Sequence, residues 1–302
     1  LPIIAVGNLS VGGTGKTPQI EYLIRLLQDQ FNVATLSRGY KRETNDFVLA
    51  NNSSTVKEIG DEPFQFFTKF PKLKVAVDAN RINGFKQLLR LDDTRDVILL
   101  DDAFQHRKVK AGFYILLTTY SELFCDDFIL PFGNLREPSS GKKRANMIIV
   151  TKCPFDISEL AMSEIKMKLE VDVPVFFSKI QYDELVYSEI EPIKTSEIQQ
   201  TEKTIITGIA KPFPFISHLK KENDLVLQFS DHHNFTEKEI DNIKKVSKNK
   251  AIITTEKDYM RLKGSLSKDQ LFYLPIKSVF LKDADVLDKI ILDYVGKSSR
   301  NG

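Results

Sequence analysis

A run of glycines leading into lysine and threonine, Gly12-Gly13-Thr14-Gly15-Lys16-Thr17, has the residue types that bind a polyphosphate. Glycines let successive backbone N–H groups converge on an anion, Lys16 can reach β- and γ-phosphates, and the Thr17 hydroxyl can ligate Mg2+. The apolar run Ile3-Ile4-Ala5-Val6 precedes it, and Ile20, Leu23, Ile24 and Leu27 follow at helical spacing. The context is therefore strand, loop, helix, and the helix N-terminus adds partial positive charge. Strict phosphate-loop spacing calls for glycine at position 10, where this chain has Ser10; the glycines at 12 and 13 are expected to supply the tight turn. The alternative, a plain glycine-rich turn, does not account for Gly15-Lys16-Thr17 flanked in this way.

Further polar groups follow other apolar runs. Val97-Ile98-Leu99-Leu100 ends in Asp101-Asp102, the pattern of a strand-end carboxylate that holds Mg2+. Neighbouring side chains on an extended chain point to opposite sides, so one aspartate serves the metal and the other the substrate, in either order. Gly60-Asp61-Glu62-Pro63 opens a helix; Asp61 reads either as its N-cap or as a carboxylate able to take a hydroxyl proton. Arg38, within Ser37-Arg38-Gly39-Tyr40-Lys41, matches phosphate geometry or sits on a solvated turn. Arg136-Glu137, in a loop stiffened by Pro131 and Pro138, is either a surface ion pair or a phosphate clamp that finishes a metal shell. His232-His233 lies between a strand and a helix capped by Thr236, as loop residues or as an imidazole that meets a carboxylate. Thr255-Glu256-Lys257-Asp258 reads as a structural network. Thr151-Lys152-Cys153-Pro154 has proline where a guanine-reading aspartate would stand, which argues against GTP.

The elements that must position these groups are strands buried on both faces. Runs at 33–36, 75–77, 97–100, 114–117 and 147–150 are continuously apolar rather than alternating, and helical patterns separate them. This predicts an α/β fold: a P-loop NTPase-like, mostly parallel sheet with helices on both faces, plus a second, smaller α/β domain. The expected division is a core over 1–180, a linker over 181–200 and the smaller domain over 201–302, with the last helix free to pack back on the core. The 302 residues, 42% hydrophobic and 28% charged, are those of a soluble globular protein. A net charge of +2 gives no case for nucleic acid, and Cys125 and Cys153 have no metal-type spacing. A reducing cytosol is the default. No apolar run reaches transmembrane length and no signal peptide is visible. Because the chain opens at Leu1 inside the first strand, without Met, a preceding segment is expected.

Taken together and in order, Val6-Gly7-Asn8 with the phosphate loop and Pro18, Ser37-Arg38-Gly39-Tyr40, Gly60-Asp61-Glu62-Pro63, Asp101-Asp102-Ala103-Phe104-Gln105-His106-Arg107, Leu135-Arg136-Glu137-Pro138, Gly208-Ile209-Ala210, Asp231-His232-His233 and Thr255-Glu256-Lys257-Asp258 resemble the tetraacyldisaccharide 4′-kinase (LpxK) family over nearly the whole chain. Ala103 and Asn134 depart from the family's usual glycine and proline. The resemblance implies ATP-dependent phosphorylation of the 4′-hydroxyl of a tetraacylated glucosamine disaccharide 1-phosphate in lipid A biosynthesis. It implies a monomer at the cytoplasmic face of the bacterial inner membrane, attached through a hydrophobic N-terminal helix that would precede Leu1. Asp61 is then the base, in a dyad with His232, completed as the two domains close. Lys16 and Arg136 absorb phosphoryl charge, and Gly12, Gly13, Thr14, Gly15, Lys16 and Thr17 bind ATP. Thr17 and Asp101 hold Mg2+, Asp102 and Glu137 serve the metal shell or substrate positioning, and Arg38 and Tyr40 meet the disaccharide and its 1-phosphate. The alternative is a P-loop ATPase or GTPase switch without a lipid acceptor.

Overall fold

The computed structural model describes residues 1–40, 42–91, 95–106 and 108–299; Lys41 and Arg107, quoted above within two motifs, lie outside the described residues. The chain divides into two compact units, residues 1–180 with those from Ser278 onward, and residues 181–277.

The first unit contains, in order, β1 (Ile3–Asn8), α1 (Lys16–Leu27), β2 (Val33–Ser37), β3 (Val48–Leu49), α2 (Val56–Ile59), α3 (Asp61–Lys69), β4 (Lys74–Val77), α4 (Arg81–Arg90), β5 (Val97–Asp101), β6 (Phe113–Thr119), β7 (Met147–Thr151), α5 (Glu159–Leu169) and β8 (Val175–Tyr182). The second contains β9 (Leu185–Val186), β10 (Ile193–Lys194), α6 (Thr195–Gln200), β11 (Lys203–Thr207), α7 (Phe213–Leu219), β12 (Leu225–Gln228), α8 (Glu237–Ser247), β13 (Ala251–Thr254), α9 (Glu256–Leu262) and β14 (Leu271–Tyr273). The chain then runs through β15 (Ile276–Phe280) to α10 (Ala284–Ser299).

Nine strands form the large sheet in the order β15-β8-β7-β6-β1-β5-β2-β4-β3. From β8 through β4 the paired neighbours are parallel, and β3 is antiparallel to its neighbour β4. Continuous apolar runs are needed because alternate residues face opposite cores. Ile4, Val6, Leu99, Ile115 and Leu117 pack under Ile20, Leu23, Ile24 and Leu27 of α1 and under Leu287, Ile291 and Val295 of α10. Ala5, Leu36, Ala76, Ile98 and Leu100 face the other way, against Leu88 of α4. A fully buried aliphatic side chain contributes about 1.5–3 kcal/mol, so both faces hold the sheet. Parallel strands bring their carboxyl ends to one edge, and the loops after β1, β2, β5, β6 and β7 gather there.

The second unit has its own all-parallel sheet, β12-β11-β13-β14. The stretch 181–200, expected as a linker, instead supplies β9, β10 and α6, and buries Val186 and Ile198 with Ile205, Phe215, Leu219 and Ile253. Two-residue strands leave no periodic signal, so this packing is not legible in the sequence. Residues from Ser278 onward belong to the first unit, so α10 packs back on the core as the expectation for the last helix allowed, whereas the expected boundary gave the start of this segment, in β15, to the smaller domain.

Candidate active site

The phosphate loop is shaped by two left-handed glycines, Gly12 (φ 94°) and Gly15 (φ 85°), the second being the N-cap of α1. Ser10 needs no glycine's freedom: it lies in an antiparallel bridge with Leu135, and Val11 N donates to Asn134 O at 2.7 Å. Thr151 Oγ1 donates to Thr14 O (2.7 Å) and Lys152 Nζ to Gly13 O (2.6 Å), tying the loop carbonyls to the end of β7. Gly7 is required by close approach, since a Cβ there would lie 2.6 Å from Phe104 Cβ and 2.9 Å from Phe104 N.

Asn8, fully buried at the end of β1, is the hub beneath the loop. Its Oδ1 accepts from Lys16 Nζ (3.3 Å) and Arg136 Nη2 (2.6 Å), and its Nδ2 donates to Ser10 O (2.6 Å). Arg136 also forks onto Asp102, Nη1 to Oδ2 at 3.1 Å and Nη2 to Oδ1 at 2.9 Å, while Lys16 Nζ stands 3.5 Å from Asp102 Oδ1. Burial pushes the Asp102 carboxyl upward, but the Arg136 hydrogen bond and the Lys16 charge outweigh it and hold it below the usual carboxylate range. Asp102 leaves the strand at φ 48°, which turns it towards these cations. Asp101 differs. It is buried, its Oδ1 has no hydrogen-bond partner, and burial raises it to about 6, against the lowering by Lys16 and with the added repulsion of Asp102 and Glu62. Environment thus separates the two aspartates. Glu137 accepts from Arg144 at 2.7 and 2.8 Å and from Gln105 at 2.9 Å, and Gln105 also donates to Asn8 O.

Asp61 is the buried first residue of α3 rather than its N-cap; Gly60 (φ 90°) holds the cap position. The turn after β2 lies against it, since a Cβ on Gly60 would meet Gly39 Cα at 3.2 Å. That turn carries Arg38 and Tyr40 at the surface. Arg38 shares its field with Arg81 and His106: burial first, then Arg81 and Arg38 among nearby cations, lower the His106 pKa. Arg81, buried at the start of α4, donates to Asp78 O (3.0 Å) and Asp101 O (3.5 Å), and burial lowers its pKa to about 10 despite Asp101 and Asp102. Glu21 of α1, nearly inaccessible, binds Gln65 (2.8 Å) and Lys69 (2.8 Å) of α3 together with Arg25 (2.7 Å), which fixes α3 relative to the phosphate-loop helix.

In the second unit the two histidines separate. His233 Nε2 lies 3.0 Å from Glu239 and its ring stacks on Phe229. His232 (φ 57°) presents Nδ1 to Arg261 Nη2 at 3.1 Å, and Arg261 Nη1 lies 3.2 Å from Asp258 Oδ1. An arginine can only donate, so Nδ1 is the acceptor in this contact. Asp258 is fully buried and also accepts from Gly208 N and Thr255 Oγ1, the network read from 255–258.

The first unit therefore brings Lys16, Asp102 and Arg136 into one cluster, with Asp101 and Glu137 beside it. Asn8, Gln105, Arg81 and Arg144 belong to the same surroundings; Asn8 and Gln105 stand within the quoted motifs, but the sequence shows no role for any of the four. The available signal was position, since Asn8, Arg81 and Gln105 end or closely follow strands. Among the described residues no group of three or more His, Cys, Asp or Glu side chains could hold a metal ion, and no helix is long and apolar enough to cross a membrane.

A family model described as tetraacyldisaccharide-1-P 4′-kinase (LpxK) matches residues 1–295. Tetraacyldisaccharide 4′-kinase of Flavobacterium psychrophilum is 58% identical over 306 residues, covering 100% of this chain and 89% of that protein. The same-named protein of Bacteroides thetaiotaomicron is 43% identical, covering 100% and 86%. The crystal structure of the "apo" form of LpxK from Aquifex aeolicus in complex with ATP superposes with a TM-score of 0.77 at 29% identity, covering 98% of this chain and 89% of that one. With a phosphate loop at the carboxyl edge of the sheet and a family match along nearly its whole length, this chain belongs to the tetraacyldisaccharide-1-P 4′-kinase family.

Proposed function

We propose that this protein transfers the γ-phosphoryl group of ATP to the 4′-hydroxyl of a tetraacylated glucosamine disaccharide 1-phosphate, at the cytoplasmic face of the bacterial inner membrane. The observation that carries the reading is the Lys16–Asp102–Arg136 cluster on Asn8, set at the mouth of a phosphate loop in a chain of this family. The loop residues Gly12 to Thr17 cradle the triphosphate. Transfer through a loose transition state depends on positioning and charge neutralisation, which Lys16 and Arg136 supply. Asp102, already ionised and braced by both cations, keeps them aimed. Asp61 takes the proton as the sugar oxygen bonds to the γ-phosphorus and the bond to the β-phosphate oxygen breaks, releasing ADP. His232 is a further acid–base residue, oriented by its contact with Arg261. Arg38 and Tyr40, in the field of Arg81, receive the anionic disaccharide.

Mg2+ fits the donors. Asp101 Oδ1 is a buried oxygen without a partner, and Thr17 stands next to Lys16 at the start of α1. These two would hold the ion, which supplies charge neutralisation on the phosphates. Glu137 joins that shell only on release from Arg144 and Gln105.

The test is incubation with γ-labelled ATP and purified acceptor. Label in the lipid supports transfer; label only in inorganic phosphate, at a rate indifferent to the lipid, means a hydrolysing switch. Lys16→Ala should abolish transfer with the circular dichroism spectrum unchanged, and full activity in that variant would refute the phosphate cradle.

A further inference from the structure

Between β6 and β7, on the phosphate-loop edge, the turn Phe128-Ile129-Leu130-Pro131-Phe132 holds its apolar side chains in solvent. Phe132 is 90% exposed, Phe128 71%, Leu130 51% and Ile129 45%. Soluble surfaces rarely display contiguous apolar residues to this degree without a partner. The turn is also closed on itself. Leu130 N donates to Leu135 O (3.0 Å), Leu135 N to Phe128 O (2.9 Å) and Phe132 N to Ile129 O (3.0 Å). Asp127 Oδ1 accepts from the backbone N–H groups of Phe128 (2.8 Å) and Asn134 (3.0 Å). With the polar backbone turned inward on itself, the aromatic and aliphatic side chains are held outward. Phe155, 80% exposed, follows β7 on the same edge.

We propose that this turn, with Phe155, inserts into the interfacial layer of a phospholipid bilayer and seats the phosphate-loop edge on the membrane. The inference deepens the kinase reading, on which it rests for the lipid nature of the acceptor. Exposed aromatic rings favour the headgroup boundary, where an apolar body meets polar surroundings. Charge agrees: the acidic residues just before the turn have partners within the chain, Asp127 as described and Asp126 in a surface ion pair with Lys168 Nζ at 2.7 Å. Lys143, downstream, is exposed and suits anionic lipid. The turn is joined to the phosphate loop by backbone hydrogen bonds, Val11 N to Asn134 O and Arg136 N to Leu9 O, both 2.7 Å. Docking the turn therefore docks the loop.

The chain contains no tryptophan, so Phe132→Trp installs a sole indole reporter at the tip, and Leu89→Trp installs one on the exposed side of α4 as a control. Vesicles of phosphatidylethanolamine and phosphatidylglycerol should shift the Phe132→Trp emission to the blue, and brominated lipids should quench it, with neither effect for Leu89→Trp. In cosedimentation, Phe128→Ser/Phe132→Ser should lower the vesicle-bound fraction about tenfold or more. Its melting temperature should stay unchanged, as should its turnover of a short-chain acceptor dispersed in detergent. An unshifted Phe132→Trp spectrum, equal shifts at both positions, or undiminished vesicle binding by the double variant would overturn the proposal. A partner protein on the turn would show as a vesicle-insensitive spectrum. Vesicle binding needs no turnover, so it stands or falls separately from the kinase assay.

Discussion

At the scale of single residues, Asp101 and Asp102 share one chemistry and differ in their surroundings. The sequence left their order open because neighbours in a strand face opposite ways; the left-handed turn at Asp102 and its Arg136 fork are what favour Asp101 for the metal in the proposed function. Asp101 is raised to about 6, so between about pH 4 and 6 the folded state binds more protons than the unfolded chain. Its ionisation above that range costs stability, a tenfold change in proton affinity on folding being worth about 1.4 kcal/mol. Asp101→Asn is accordingly expected to raise the melting temperature of the nucleotide-free protein at pH 7.5, and to change it little at pH 4, while lowering transfer activity. Thermal scans at the two pH values check this; destabilisation at pH 7.5 would contradict it. For the base, Asp61→Ala should lower kcat by about 10²–10⁴-fold with ATP affinity nearly intact, as read by single-turnover kinetics beside a nucleotide titration. Near-normal turnover would remove Asp61 from that role. Much of this site was legible, because strand-end polar clusters in a parallel sheet mark the ligand edge. What escaped was support: Asn8 and Gln105 act through amide hydrogen bonds whose partners are far apart in sequence, and no spacing rule shows them.

At the scale of elements, the phosphate-loop helix and the helix that begins with Asp61 are locked by Glu21. This carboxylate is buried while its partners Arg25 and Lys69 remain partly exposed, so they can rehydrate when it is lost. Glu21→Ala should therefore cost about 1–3 kcal/mol, below the full cost of breaking a buried pair. Because α3 loosens relative to α1, kcat should fall more than ATP affinity. A chemical denaturation curve and a kcat-against-KM comparison test both parts. The amphipathic pattern of α1 was readable from Ile20, Leu23, Ile24 and Leu27, whereas Glu21 looked like an ordinary surface residue. Only the fold shows that α3 lies across it.

At the scale of the molecule, the two units have separate cores, and the second holds a fully buried ion pair, Lys203 Nζ to Asp224 Oδ2 at 2.7 Å. Asp224 also accepts from Lys203 N (3.0 Å) and Lys221 N (2.7 Å). Asp224→Ala would strand a buried ammonium and two backbone donors, costing about 3–5 kcal/mol. Calorimetry should then show an early transition for residues 181–277 ahead of the rest, with ATP protecting only the later one. A single undivided transition at the wild-type temperature would contradict this. The alternation of strand and helix foretold the large sheet, but the return of the chain at Ser278 to the first unit has no local signature. It depends on which apolar faces remain uncovered once the sheet has formed.

The phosphate loop has a reach beyond its ligand. Two main-chain hydrogen bonds, those of Val11 and Arg136 that make up the Ser10–Leu135 bridge, join the cradle to the apolar turn as neighbouring strands are joined. These bonds couple the height of one to that of the other. If the turn docks as proposed, the surface that grips it is a datum plane, the terminal phosphorus would be offered near one altitude above it, and an alcohol's depth would become a criterion of selection alongside its chemistry.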